Sequence, residues 1–159
     1  MASTPASGGE YEVFLSFRGE DTCKTFTDHL YRALVQVGIC TFRDDDELRV
    51  GEEIGTERLK AIKDSKISIS IFSRDYASSE NCLNELVQMV ECHKTMGHKI
   101  LPIFYDVTLS DEVDQGGTYK EAFRKHQKDF KEDTVRRWKE ALKEVGEMKG
   151  WELKEATNG

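Results

Sequence analysis

The chain has 159 residues, 38% of them hydrophobic, 9% aromatic and 33% charged, with a formal net charge of -7. That length predicts one domain, large enough to fold around its own core without disulfides or a structural metal. The acidic balance argues against a general nucleic-acid or anionic-membrane binder. The apolar runs are strand-sized, well short of a ~20-residue membrane span, and MASTPASGGE at the start reads as neither a signal peptide nor a myristoylation site.

Residues 1–10 are small and polar and are expected to be a disordered lead-in; the folded domain is expected over 11–153, with 154–159 as a short tail. YEVFLSF (11–17) is a strand-length run, after which Thr22 can cap a helix with Phe26, Leu30, Leu34 and Val37 at helical spacing. Gly38 is placed to end that helix. ICTF (39–42) follows as a second strand, then the charged stretch RDDDELRVGEE (43–53) and a short helix over 54–64 with Ile54, Leu59 and Ile62 on one side. KISISIF (66–72) is the third strand.

Ser79 opens the next helix, which carries Leu83, Leu86, Val87 and Val90, and KILPIFY (99–105) is the fourth strand. After a polar loop, one helix carries Tyr119, Phe123, His126 and Phe130, and another carries Val135, Trp138, Leu142 and Val145. This alternation predicts an α/β, flavodoxin-like three-layer sandwich: a parallel sheet of four to five strands with helices on both faces. GWEL (150–153) is the only late candidate for the fifth strand. The third and fourth strands read as nearly continuous apolar runs, as interior parallel strands should.

Four cysteines, Cys23, Cys40, Cys82 and Cys92, form no CxxC pair and are expected to be free thiols. Cys92, His93 and His98 are close in sequence, but zinc needs three or four converging ligands and adjacent helical residues diverge by about 100°. No metal is expected. The triple Asp44, Asp45, Asp46 follows the second strand, whereas a phosphoacceptor receiver would need its acidic pair at the end of the first; a solvated loop is the simpler reading. Residues 119–149 hold ten Lys/Arg against seven Asp/Glu and residues 1–118 hold twelve against twenty-one, an asymmetry suited to head-to-tail self-association.

In an open parallel sheet, ligands bind beyond the carboxyl ends of the strands where strand order reverses. With order 2-1-3-4-5 that point lies between the first and third strands, beside Phe17-Arg18-Gly19 and Ser73-Arg74-Asp75-Tyr76. Glu85, in the second turn of the helix opened by Ser79, is placed to face it.

The blocks YEVFLSFRGEDTCKTFTDHLYRAL, TFRDDDELRVGEEI, SRDYASSENCLNELVQM, LPIFY and KGW occur in the order and spacing of a plant TIR domain, which this chain resembles over about residues 11–153. Such domains are N-terminal modules of intracellular nucleotide-binding leucine-rich-repeat immune receptors. The resemblance implies a flavodoxin-like fold and, on assembly, cleavage of NAD⁺ and NADP⁺ at the nicotinamide–ribose bond. It implies no cofactor or metal, with the dinucleotide as substrate and nucleic acid as a minor further substrate in some relatives.

The residue matching the family's catalytic glutamate is Glu85. Losing neutral nicotinamide from a cationic pyridinium needs no general acid, unlike ordinary glycoside hydrolysis with its two carboxylates. One ionised carboxylate can bind ribose hydroxyls and stabilise the oxocarbenium charge. Arg18 and Gly19 sit at the switch point, where they can meet the dinucleotide's phosphate, and the resemblance implies that Arg49, in the loop after the second strand, approaches the dinucleotide too. Phe42 and Tyr76 are candidate ring-stacking neighbours, with the core as the alternative. The resemblance implies self-association at Asp28 and His29 in the first helix, at the loop Gly51, Glu52, Glu53, Ile54, and at Lys149, Gly150, Trp151, with Trp151 buried against the sheet edge as the alternative. Asn81 stands where the family usually has Trp and Cys23 where Arg is common, which predicts weak or assembly-dependent activity.

Two functions follow from the resemblance: an assembly-activated NAD(P)⁺ nucleosidase signalling cell death, or a catalytically weak adaptor acting through TIR–TIR contact. Either implies a cytoplasmic setting, with the nucleus as the alternative, partners among other TIR domains in a weak dimer or tetramer, downstream immune proteins, and no membrane.

Overall fold

The computed structural model describes residues 11–18, 24–43, 56–74, 76–105 and 117–153. The expected tails, the Thr22 cap, Cys23, the Asp44–Asp46 run and the loop before Gly117 lie outside them, as do Gly19, Arg49, Gly51, Glu52, Glu53 and Ile54. Five strands, β1 (Val13–Ser16), β2 (Thr41–Arg43), β3 (Ile67–Phe72), β4 (Lys99–Tyr105) and β5 (Trp151–Leu153), form one sheet in the order β2-β1-β3-β4-β5. Every neighbouring pair is parallel. The sequence-based order is therefore the observed one, and GWEL supplies the fifth strand.

Parallel strands need crossovers, supplied here by α1 (Lys24–Gln36), α2 (Thr56–Asp64), α3 (Glu80–Met96), α4 (Gly117–Asp129) and α5 (Glu132–Gly146). The alternation of side chains along each strand separates two cores. Phe14, Phe72, Ile100 and Phe104 point toward α2, α3, α4 and α5 and meet Ile62, Leu83, Leu86, Phe123, Trp138 and Leu142. Val13, Leu15, Ile69, Ile71 and Ile103 point the other way, onto Phe26, Leu30 and Leu34 of α1. Among the described residues the second face is thus covered by a single helix.

Two local differences from the sequence reading have plain causes. The second strand starts two residues late because the Ile39 N–H is taken by the Leu34 carbonyl at 2.9 Å, closing the helix end around Gly38, whose φ of +91° suits glycine. The third strand is buried on both faces, yet two of its three α3-facing side chains, Ser68 and Ser70, are hydroxyls, with Phe72 the apolar one. The small Ser68 hydroxyl leaves room at the sheet for the ring of His98, which precedes β4. Ser68 Oγ meets His98 Nε2 at 2.6 Å, and His93 Nδ1 donates to the His98 carbonyl at 2.7 Å.

The β4–β5 edge is tight. A Cβ on Gly150 would press on the Pro102 carbonyl oxygen and stand 2.8 Å from Pro102 Cγ. Trp151 pairs with Ile103 and so shares the α1-side face, where it is 60% exposed. The alternative that Trp151 is buried against the sheet edge is thereby set aside.

Gly150→Ala should cost about 1–3 kcal/mol, as overpacking against backbone does, read as a lower urea midpoint, whereas exposed Lys149→Ala should fall within about 0.5 kcal/mol of the parent. Burial, reinforced by His93, holds His98 below its ordinary 6.5 despite an opposing bond from the Ser65 backbone. The folded chain therefore keeps this ring neutral while the unfolded chain protonates it, so stability should fall as pH drops below about 6.5 and on through the lower folded-state value. Denaturation at pH 7.5 and 5.5 should show a smaller loss in His98→Gln than in the parent; equal losses would rule His98 out as the cause.

Candidate active site

α3 begins where the sequence places it. Ser79 is the N-cap, and its hydroxyl accepts the Cys82 N–H at 3.2 Å. From that start the buried stripe runs Cys82, Glu85, Leu86, Met89, an i, i+3, i+4, i+7 series that carries one acid into the core. Asn84, one residue earlier, points elsewhere: its side-chain oxygen accepts the Trp138 indole N–H at 3.0 Å, so α5 fixes the helix from the opposite side.

Glu85 is 5% exposed and lies at the carboxyl end of β1. The hydroxyl of Ser16, last residue of that strand, donates to Glu85 Oε1 at 2.8 Å, and Arg58 Nη1 stands 3.1 Å from Oε2. Behind Ser16 the Tyr76 hydroxyl sits 2.7 Å from Ser16 Oγ and 3.3 Å from the Cys82 carbonyl, so its one proton lies between two acceptors. The result is a chain from phenol to serine to carboxylate, closed by a guanidinium. Because β1 pairs with both β2 and β3, this point is the reversal of strand order at which ligands bind in such sheets.

The low dielectric shows in the neighbours. Burial, with the Glu85 charge adding to it, pushes the Tyr76 phenol well above its ordinary range. Burial and then Glu85 raise the Cys82 thiol, against the Ser79 hydrogen bond and the charges of Arg58 and Arg18. Both groups stay protonated and neutral at physiological pH. Cys82 Sγ lies 3.4 Å from the Phe17 carbonyl.

The structure brings together some of the residues the sequence singles out and separates others. Glu85 faces the switch point as expected. Arg18, half-buried after β1, is near enough to Cys82 to act on its thiol. Phe42 and Tyr76 are corrected: neither offers an open ring face for a substrate. Phe42 is buried, stacked on Phe14 with centroids 5.3 Å apart, and Tyr76 is fully buried against Phe72 at 4.8 Å.

Asp28 is partly exposed and paired with Arg43, whose guanidinium lies 5.3 Å from the ring centroids of both Phe17 and Tyr31. His29 beside it is exposed, as are Lys149, Gly150 and Trp151. Arg58 is the functional candidate the sequence reading missed. Its signal was present: Arg58, Ala61 and Ile62 form the buried stripe of α2, with one base on it, as α3 has one acid on its own.

The model of the TIR domain family matches residues 10–158. This chain belongs to the TIR domain family. It is 52% identical over 143 residues to disease resistance protein RPV1 of Vitis rotundifolia, covering 90% of the chain, and 46% identical over 151 residues to TMV resistance protein N of Nicotiana glutinosa, covering 94%. It spans only 10% and 13% of those two proteins. Among solved structures, the TIR domains of the activated Roq1 resistosome, which directly recognises the pathogen effector XopQ, match with a TM-score of 0.80 and 46% identity, covering 89% of this chain and 87% of that one. The α/β fold with its parallel sheet is that of the family, and no helix among the described residues is long and apolar enough to cross a membrane.

Because Cys40 is exposed whereas Cys82 and Cys92 are buried with raised thiols, native alkylation followed by peptide mass spectrometry should label Cys40 first. Cys82 and Cys92 should react only after denaturation; equal native labelling of Cys82 and Cys40 would contradict the buried site.

Proposed function

We propose that this TIR domain is an assembly-dependent NAD(P)⁺ nucleosidase in which Glu85 is the catalytic carboxylate. The observation that carries the reading is the carboxylate itself: one acid held at the reversal of strand order by Ser16 and Arg58. Cleavage breaks the bond between the ribose C1′ and the pyridinium nitrogen, whose electron pair leaves with neutral nicotinamide. The positive charge then spreads over C1′ and the ring oxygen, where an ionised Glu85 stabilises it before water or an internal nucleophile adds.

The described arrangement keeps Glu85 almost fully covered. Substrate access therefore requires the side chains that cover Glu85 to give way, and neighbours that favour the open arrangement raise its population. Arg18, Gly19 and Arg49 are the proposed dinucleotide contacts. Asp28, His29, the 51–54 loop and Lys149–Trp151 are the proposed contacts between copies. The relatives' names support a role in plant disease resistance, within a longer protein of which this chain is one module; the proposed setting is the cytoplasm or nucleus.

A second reading, a docking module of low activity, is favoured by the same burial: both Glu85 oxygens are engaged inside the protein. Nicotinamide release from NAD⁺ and from NADP⁺, measured by chromatography on a concentrated, crowded sample, separates the two. Glu85→Gln should lower the rate by roughly 10²-fold or more, the scale for losing one preorganised electrostatic group, with circular dichroism confirming that the variant is folded. A parent as inert as Glu85→Gln would leave the docking module as the function.

A further inference from the structure

A carboxylate withdrawn from water takes up a proton unless opposite charge or donors hold it ionised. Glu85 meets this problem at 5% exposure, and the groups around it are unequal to solving it alike. Ser16 offers one neutral hydroxyl from β1. Tyr76, on the short helical turn before α3, and Cys82, on α3 itself, are kept neutral by the same burial. Arg18, after β1, acts on Cys82. Arg58, from α2, sits 3.1 Å from Glu85 Oε2 and is itself only 3% exposed.

We propose that Arg58 is the positioning residue of this site: its guanidinium keeps the Glu85 carboxylate ionised and turned toward β1. The inference rests on the reading of Glu85 as the catalytic carboxylate and adds a residue that acts through it without touching substrate. Two features make Arg58 suited to the task. It is anchored on the buried stripe of α2 with Ala61 and Ile62, so its head is held in place by the packing of a helix. A guanidinium also stays charged in such surroundings, where a lysine would more readily lose its proton.

The pair also joins α2 to α3 across the carboxyl end of β1. A shift of α2 relative to the sheet therefore changes the charge environment of Glu85 directly, which gives assembly a physical handle on the site. Loss of Arg58 should have a signature that loss of packing does not: a displaced titration of another residue.

The test uses the whole chain labelled with ¹³C-glutamate, the Glu85 carboxyl signal being assigned by its disappearance in Glu85→Gln. Relative to the parent, Arg58→Gln should move the Glu85 midpoint to higher pH by roughly one to three units, the effect of an adjacent opposite charge. Arg58→Lys should fall between the two. The acid limb of nicotinamide release from NAD⁺ should move in the same order. An unmoved Glu85 midpoint in folded Arg58→Gln overturns the assignment; if that variant does not fold, an unmoved midpoint in Arg58→Lys does so. A shifted midpoint in a chain whose parent releases no nicotinamide supports the electrostatic role of Arg58 and removes the catalytic one of Glu85. An active parent whose midpoint is unmoved in the variants does the reverse.

Discussion

The ion pair between Glu85 and Arg58, with the Ser16 hydroxyl on the other carboxylate oxygen, is the constraint around which the described structure is arranged. An unpaired charge in such surroundings is prohibitively costly, and removing one partner of a buried pair typically costs about 3–5 kcal/mol. Each of these residues comes from a different element, so the interaction can form only when β1, α2 and α3 are mutually in register. The serines of the sheet make this possible. Were Ser16, which pairs with Ser70 across β1 and β3, as bulky as the isoleucines of β3, the acid could not approach the end of β1.

That arrangement also shapes what the site can do. Placing the acid at the reversal of strand order puts it where the sheet's carboxyl edge can admit a ligand. With a serine hydroxyl on one oxygen and a guanidinium on the other, the described surroundings favour a charged acid over a proton donor. This suits a departure that needs no protonation, and it accords with a reaction whose leaving group is neutral. The same contacts cover the carboxylate. Stability and access are thus opposed at one side chain, which is the usual place for a fold to concede something to function. Coupling the release of that cover to contact with a neighbouring copy would turn the conflict into control.

The outer surface is organised separately. Among the described residues α1 alone covers one face of the sheet, and Trp151 continues that face at the β5 edge, exposed. Gly150 brings the chain against Pro102 to set β5 in place. Asp28, expected at a contact between copies, is drawn into a local cluster in which Arg43 bridges it to the rings of Phe17 and Tyr31. An interface built here would inherit a prearranged charge pattern rather than a free carboxylate.

Much was legible in the amino-acid sequence because it depends on local rules. Strand and helix periodicity, the Ser79 cap and the Gly38 stop mark the elements to within about two residues, and the alternation of strands and helices points to an open parallel sheet of flavodoxin-like order. The blocks shared with TIR domains point to Glu85. Periodicity reports which face of an element is buried, but not what meets that face from elsewhere in the chain. Arg58 and Glu85 each stand alone on an apolar stripe, and neither stripe names its partner. Phe42 and Tyr76 read equally as stacking surfaces or as core, and only the packing of Phe14 and Phe72 against them decided it. Trp151 was ambiguous until its register with Ile103 was known. Long-range pairing depends on how elements cross in three dimensions, and that is a property of the folded sheet and its helices together, not of any segment.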